Sequence, residues 1–400
     1  MRAFKSKNEI LLGAGAVISG FSIPTSTAGQ NIGFFLLLIA GIISWRQCHE
    51  WHKIWRSPFS LAGLSFGVAV IIGSIWSSAA PATALGFIIK LRAYYCIPLM
   101  LVCFTKRRAR NLFLFSFGAA ALLSVSLSCL SAWINYPLVL GEPGDWFVFR
   151  THTYHNFFAA LLANCILIVL LIKKPPLNWS IFFITILCLI SYDILFLVSG
   201  RTGQIAFIFM TSISLLLWNW KIGLPSIVLA SLILTALLPN YSTSFNQGVK
   251  SAESDLVGFT QGNADTSVGL RLQWYQVSMK LIAERPFFGH GTGSFKTEYE
   301  RLRQTDTTLI STVNPHNDYL WLSVELGIGG ALLLVSLLLA SAWQGRHLKP
   351  AWRYSLFALM AGMAVSTMAN SFFTDNISGL AFVLMTCALL SGPKINNAST

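Results

Sequence analysis

Residues 106–135 read KRRARNLFLFSFGAAALLSVSLSCLSAWIN, a basic cluster followed by an apolar run in which no charged residue occurs from Asn111 to Asn135. About 20 such residues, rising 1.5 Å each in a helix, cross a bilayer's hydrocarbon core. Lys106, Arg107, Arg108 and Arg110 then mark the cytoplasmic end, because basic residues are retained on that side. Working outward, apolar runs of the same kind recur at approximately 9–24, 31–45, 59–77, 82–104, 153–172, 179–198, 203–219, 223–239, 317–342, 352–372 and 377–391. The sequence therefore reads as an all-α polytopic membrane protein with about twelve transmembrane helices. Residues 1–400 form a single integral membrane domain with N- and C-termini cytoplasmic. Composition agrees: 54% of residues are hydrophobic and 11% charged, against about 25% charged in soluble chains. Intrinsic disorder, a disulfide scaffold and a cytosolic enzyme are excluded.

The net charge of +13 is a topology signal. With the N-terminus inside, seventeen of the 28 basic residues fall on the cytoplasmic side. The short outer loops hold only Arg150 and Arg201, and Lys90 and Arg92 lie within the fourth run. The asymmetry is the positive-inside bias, and no nucleic acid is needed as a partner. Cysteines sit in or beside apolar runs, apart from Cys48 in an inner loop, and read as packing residues rather than a disulfide framework. The first run resembles a signal peptide in its flanks, but an uncleaved helix is expected.

One connection breaks the pattern of tight loops. Residues 240–316 form a long loop on the periplasmic side, and loops of that length usually carry function and their own structure. Leu270, Trp274, Val277 and Leu281 recur at helical spacing and predict a helix from Ser267 to Glu284, stopped at Arg285-Pro286. A second helix is expected after Ser294 as N-cap.

The residues that can carry chemistry gather on the outer side. Arg201, in Ser199-Gly200-Arg201-Thr202-Gly203, runs against the charge bias, as do Arg150 and Arg271. A snorkelling arginine is one reading of each; the other is an anion site, since a guanidinium matches phosphate geometry and keeps its charge. Lys90 and Arg92 stand about a third of the way into the fourth run, where charge is costly unless paired, and are candidate substrate contacts. His316, in Val313-Asn314-Pro315-His316-Asn317-Asp318-Tyr319, is either a satisfied interfacial histidine or a general base, with Asn314 and Asn317 as flanking substrate contacts and Asp318 available to orient the ring. His152 and His155 share a helix face, and His155 is carried as a substrate contact, with simple packing as the alternative. The stretch Gly289-His290-Gly291-Thr292-Gly293-Ser294 reads better as a tight turn than as a phosphate cradle. No metal site is expected: His49-Glu50-Trp51-His52 is one residue short of a zinc motif and has no third ligand.

Taken together, Ser199-Gly200-Arg201-Thr202-Gly203, Gly269-Leu270-Arg271-Leu272 with Trp274-Tyr275, Arg285-Pro286-Phe287-Phe288-Gly289-His290-Gly291 and Pro315-His316-Asn317-Asp318-Tyr319 resemble the bacterial O-antigen ligases. Those belong to a superfamily with O-antigen polymerases and protein O-oligosaccharyltransferases. The resemblance implies a GT-C-like membrane glycosyltransferase in the cell inner membrane with its active site facing the periplasm. It implies a donor glycan on undecaprenyl pyrophosphate, a lipid A–core acceptor, and inverting transfer without a metal, nucleotide or other cofactor. It carries roles to Arg201 and Arg271 as pyrophosphate-binding cations, to His316 as the catalytic histidine, and to Lys90 and Arg92 as a basic pair nearby. A polymerase or protein oligosaccharyltransferase is the alternative. A transporter is disfavoured, because the motifs gather at one face rather than at the midplane.

Overall fold

The computed structural model describes residues 2–241 and 266–395, and all regular structure there is helical. Two isolated bridges, Glu142 with Asp145 and Leu348 with Lys394, build no sheet. In chain order the principal helices are α1 (Arg2–Thr25), α2 (Thr27–Ser44), α3 (Trp51–Trp55), α4 (Pro58–Gly73), α5 (Pro81–Lys90), α6 (Arg92–Tyr95), α7 (Ile97–Phe104), α8 (Arg107–Ile134), α9 (His152–Lys173), α10 (Leu177–Tyr192) and α11 (Arg201–Tyr241). Then follow α12 (Ser267–Glu284), α13 (Phe295–Thr305), α14 (Asp318–Leu326), α15 (Ile328–Gly345), α16 (Pro350–Ala369) and α17 (Asn376–Leu390).

Among the described residues, six helices are long and apolar enough to cross a membrane: Thr27–Gln47, Arg107–Ile134, His152–Lys173, Leu177–Leu197, Arg201–Leu232 and Ile328–Gly345. Pro58–Gly73, Pro81–Lys90 and Asn376–Leu390 are shorter apolar helices. The last of these, α17, is buried at every position from Ser378 to Leu390, as a helix apolar on all sides requires. It packs against α6, α7, α8, α15 and α16, so the C-terminal apolar run forms part of the centre of the protein.

Three runs depart from straight spans. The fourth is divided: α5 ends at Lys90, Leu91 and Cys96 leave helical geometry, and α7 restarts with Pro98 in its first turn. Proline has no N–H to continue the ladder, so the helix breaks just before it. Lys90 and Arg92 therefore stand at a break instead of inside a continuous span. The tenth run, expected as one helix over 317–342, is bent at Gly327, whose φ is +69°. A Cβ on Gly330 would come within 2.2 Å of the Leu322 carbonyl oxygen. Residues eight apart touch only where the chain turns back on itself, so α14 is a short helix folded against α15. The same signature marks α11: Asn219 leaves helical geometry, and a Cβ on Gly223 would sit 2.6 Å from the Leu215 carbonyl oxygen. The expected separation of 203–219 from 223–239 thus appears as a sharp reversal inside α11.

The long connection is helical where it is described. α12 spans the residues expected of it, with the Thr266 side chain accepting from the Gly269 N–H at 3.1 Å. α13 starts after Ser294, but the Ser294 side chain makes no capping bond and its hydroxyl is buried without a partner. The buried Glu325 carboxylate of α14, which accepts from Trp321 Nε1 at 2.7 Å, faces the Gly293 and Phe295 N–H groups at this helix start.

The glycine stretch 289–293 is the tight turn the sequence suggests. Gly291 has φ +92°, and a Cβ there would meet the Ser77 Cα at 2.2 Å. Its N–H donates to the Glu325 carbonyl at 2.8 Å, and Thr292 N–H donates to the Gly73 carbonyl at 3.0 Å. Gly291→Ala is expected to cost about 1–3 kcal/mol for the backbone strain alone, read as a lowered midpoint in detergent thermal unfolding.

Candidate active site

Three separate segments converge. Arg201 is exposed at the first position of α11, where aligned helix N–H groups add positive potential. Its loop is fastened from below: the Asn156 amide of α9 donates to the carbonyls of Val198 and Gly200 at 3.0 and 3.2 Å. Arg271 is half-buried on α12, and His316 is half-buried in the turn before α14.

The two arginines sense each other. Burial first, and then the positive charge of Arg201, lower the Arg271 pKa, while Tyr275 acts in the opposite sense. Among the described residues neither guanidinium forms an ion pair with a carboxylate. Bringing like charges together without a counter-ion is unfavourable, and sites built so are candidates for binding an anion.

His316 is held from several sides. It has φ +51°, unusual for a residue with a side chain. Its N–H donates to the Asn314 side-chain oxygen at 2.9 Å, and the ring stacks on Trp274 with centroids 5.1 Å apart and planes at 25°. Nδ1 lies 3.2 Å from Asn370 Oδ1. That oxygen also accepts the Ser371 N–H at 2.9 Å, which identifies it as an acceptor. Nδ1 must then carry the proton, leaving the lone pair on Nε2. Burial lowers the His316 pKa below its usual 6.5; the Asn370 bond opposes this and the Arg271 charge adds to it. A neutral imidazole with a free Nε2 beside a cation is the form a general base requires.

The other expected contacts divide. Asn314 orients His316, and its oxygen also accepts from the Ser371 hydroxyl at 3.2 Å. Asn317 caps α14 by accepting the Leu320 N–H at 3.1 Å and also bonds the Tyr275 hydroxyl. Both therefore belong to the site's frame. Asp318 does not orient the imidazole: its carboxylate accepts from Phe373 N–H at 2.6 Å and from the Thr374 hydroxyl. Lys90 lies over the Trp321 ring at 5.2 Å, within electrostatic reach of the buried Asp318 and Glu325 but forming no ion pair with either. Arg92 donates to the Ile89 carbonyl and Asn31 and lies over Phe34 and Phe35. His155 is sealed within the protein, 4% exposed, with Nε2 2.9 Å from Asp193. Arg150 is also enclosed, its guanidinium donating to the carbonyls of Ser22 and Ile23 and to the side chains of Thr27 and Gln30. It ties the outer loop to α1 and α2 and leaves no fork for an anion.

Residues that sequence reasoning missed are Asn370 and the His152–Asp145 pair. Asn370 is 54 positions from His316, and nothing in the local sequence signals the contact. One group of potential metal ligands exists among the described residues, with Glu284, His290 and Glu298 donor atoms within 4.8 Å of one another. Arg301 bonds both carboxylates and His290 Nε2 lies 3.0 Å from the Leu281 carbonyl, so the donor atoms are already engaged within the protein.

Residues 186–335 match the protein family described as O-antigen ligase. The match takes in Arg201, Arg271 and His316 and covers less than half of the chain. A Haemophilus influenzae protein described as uncharacterized is 26% identical over 255 residues, 61% of this chain. The chain spans 62% of that relative's length. The chain is thus a helical membrane protein in which residues 186–335 are similar to the O-antigen ligase family.

Proposed function

We propose that the protein is an O-antigen ligase, transferring O-antigen polysaccharide from undecaprenyl pyrophosphate to a sugar hydroxyl of lipid A–core during lipopolysaccharide assembly. The observation that carries the reading is that Arg201 and Arg271 oppose each other's charge, with no carboxylate partner among the described residues, and that Arg271 also acts on a neutral His316 whose Nε2 has no hydrogen-bond partner among them. The protein acts in the bacterial inner membrane. In this reading both termini are cytoplasmic, and the helices of residues 267–305 and the turn at residue 316 lie at the periplasmic face.

The chemistry follows from the charges. The acceptor hydroxyl attacks the anomeric carbon as His316 Nε2 takes its proton. The bond from that carbon to the diphosphate oxygen breaks with inversion. The negative charge growing on the departing diphosphate is met by Arg201 and Arg271, in surroundings drier than bulk water. Both substrates are lipid-anchored, so the membrane plane supplies part of their orientation.

The test is purified protein with lipid-linked O-antigen and lipid A–core in EDTA. Glycan appearing on the core supports the ligase. Chains that lengthen on the carrier while the core stays bare would replace it with a polymerase, and glycan on protein with an oligosaccharyltransferase. A pH profile of kcat/KM reports the free enzyme. Because the His316 pKa is lowered from 6.5, the base form prevails at neutral pH. Activity is expected to fall on acidification with an apparent pKa below that value. An acid limb centred above it would contradict His316 as the base.

A further inference from the structure

Four helices leave between them a space that the transfer reaction does not use. α8, α9, α16 and α17 pack against one another in pairs, yet a groove of about 320 Å³, open along one side, remains among them. It is lined from the N-terminal halves of α8 and α16 and the C-terminal parts of α9 and α17, so it runs inward from one end of the bundle. Phe117, Leu162, Ile168 and Met385 form its walls. At Gly118 a Cβ would meet only Leu162 Cδ1, at 3.7 Å, which leaves that side of the groove open. The Ser355 hydroxyl on the lining donates to the Ala351 carbonyl at 2.9 Å, so its proton is already committed. Such a depth suits hydrocarbon and offers little to a sugar.

The mouth is cationic. Lys173, the last residue of α9, is exposed and lines it. Trp352 lines it too, and the Arg110 guanidinium stands over that ring, 4.9 Å from its centroid. Arg110 is 8% exposed and donates to the Ser391 carbonyl, while its buried Nε has no hydrogen-bond partner among the described residues. Neither cation forms an ion pair with a carboxylate among those residues. None of the four helices contains an aspartate or glutamate, and Lys174 and Lys349 adjoin their ends. A buried cation without counter-charge is unfavourable, and an anion brought to the mouth relieves it.

An apolar depth below a cationic mouth matches the two halves of an anionic phospholipid. Within a bilayer the acyl chain gains little hydrophobic energy from the groove, because the surrounding lipid tails are equally apolar. Packing contacts therefore hold the chain, and the headgroup selects the lipid, as in basic pockets between membrane helices. We propose that this groove binds one anionic glycerophospholipid, with an acyl chain along Phe117 and Leu162 and the phosphate at Lys173 in the field of Arg110. The proposal needs only the membrane location of the protein and is independent of the transferase reading.

The experiment is native mass spectrometry of the delipidated full chain in detergent, titrated with dioleoyl phosphatidylglycerol or with dioleoyl phosphatidylcholine, whose chains are identical. Wild type is expected to bind the first phosphatidylglycerol about fivefold or more tightly than phosphatidylcholine. Lys173→Gln should weaken phosphatidylglycerol about fivefold, one cation's share at an anionic surface, and leave phosphatidylcholine unchanged. Gly118→Leu, whose side chain enters the groove, should weaken both lipids. Lys221→Gln removes an exposed cation elsewhere and should change neither. Equal affinity of wild type for the two lipids overturns the proposal, and so does an equal loss in Lys173→Gln and Lys221→Gln. Unchanged binding by a folded Gly118→Leu shows the groove empty of chain and likewise overturns it. If Gly118→Leu does not fold, the comparison of the two glutamine variants decides. Displacement of the lipid by glycerol 3-phosphate at similar concentration would make the mouth a site for a free anion, and the groove would have no part in it.

Discussion

His316→Ala is expected to lower the rate of glycan transfer by roughly 100- to 10,000-fold, the range that a positioned general base contributes. The variant should still fold, because the turn around residue 316 is held by backbone and neighbouring side chains as well as by the ring. Asn314 accepts the residue's own N–H at 2.9 Å, and Tyr275 donates to the Met368 carbonyl at 2.8 Å. His316→Gln is the sharper test. An amide fills much of the space and can hydrogen-bond, yet it has no basic nitrogen, so it should lose nearly as much rate with little change in donor affinity. Single-turnover transfer and donor binding separate the two effects. A glutamine variant within threefold or so of wild type would leave His316 as a packing residue, since a base cannot contribute so little.

Arg271→Ala is expected to reduce transfer by roughly 100- to 1,000-fold, the loss typical of removing one preorganised donor from a developing anion. Arg271→Lys should recover little, because an ammonium on a flexible stem does not reproduce the planar fork. Stability should move the other way. Arg271 and Arg201 lie close enough for each charge to oppose the other, and neither has an acidic partner among the described residues. Removing one cation relieves that repulsion, so the thermal midpoint of Arg271→Ala should equal or exceed that of wild type. Loss of activity with lost stability would instead mark Arg271 as structural. Added polyprenyl diphosphate should raise the wild-type midpoint, as any ligand of the native state does, and should do so much less in the variant.

The candidate site was legible in some parts and hidden in others for a physical reason. Arg201, Arg271 and His316 could be singled out one by one, because a charge on the wrong side of a membrane or at the mouth of a span is costly and so conspicuous. The helix Ser267–Glu284 was equally visible, since 3.6-residue periodicity and a following proline are local signals. His155 and His152 show the opposite case. Both fall on one helical face, and only packing decides that His155 meets Asp193 in the interior while His152 meets Asp145 near the surface. What surrounds Lys90 and Arg92 was equally hidden, because Trp321 beside the one and Asn31 beside the other are distant in the chain.

From its amino-acid order alone, this protein is a helical membrane protein whose unusual cations and histidine are expected towards one side. Hydrophobic run length, periodicity and charge bias are properties of neighbouring residues, and neighbouring residues suffice to specify them. Only the tertiary structure decided which of those residues face one another. The fold-back at Gly327 and the approach of α11, α12 and the 316 turn arise from contacts across the chain. The proton on His316 Nδ1 and the free pair on Nε2 depend on Asn370, which only packing brings near.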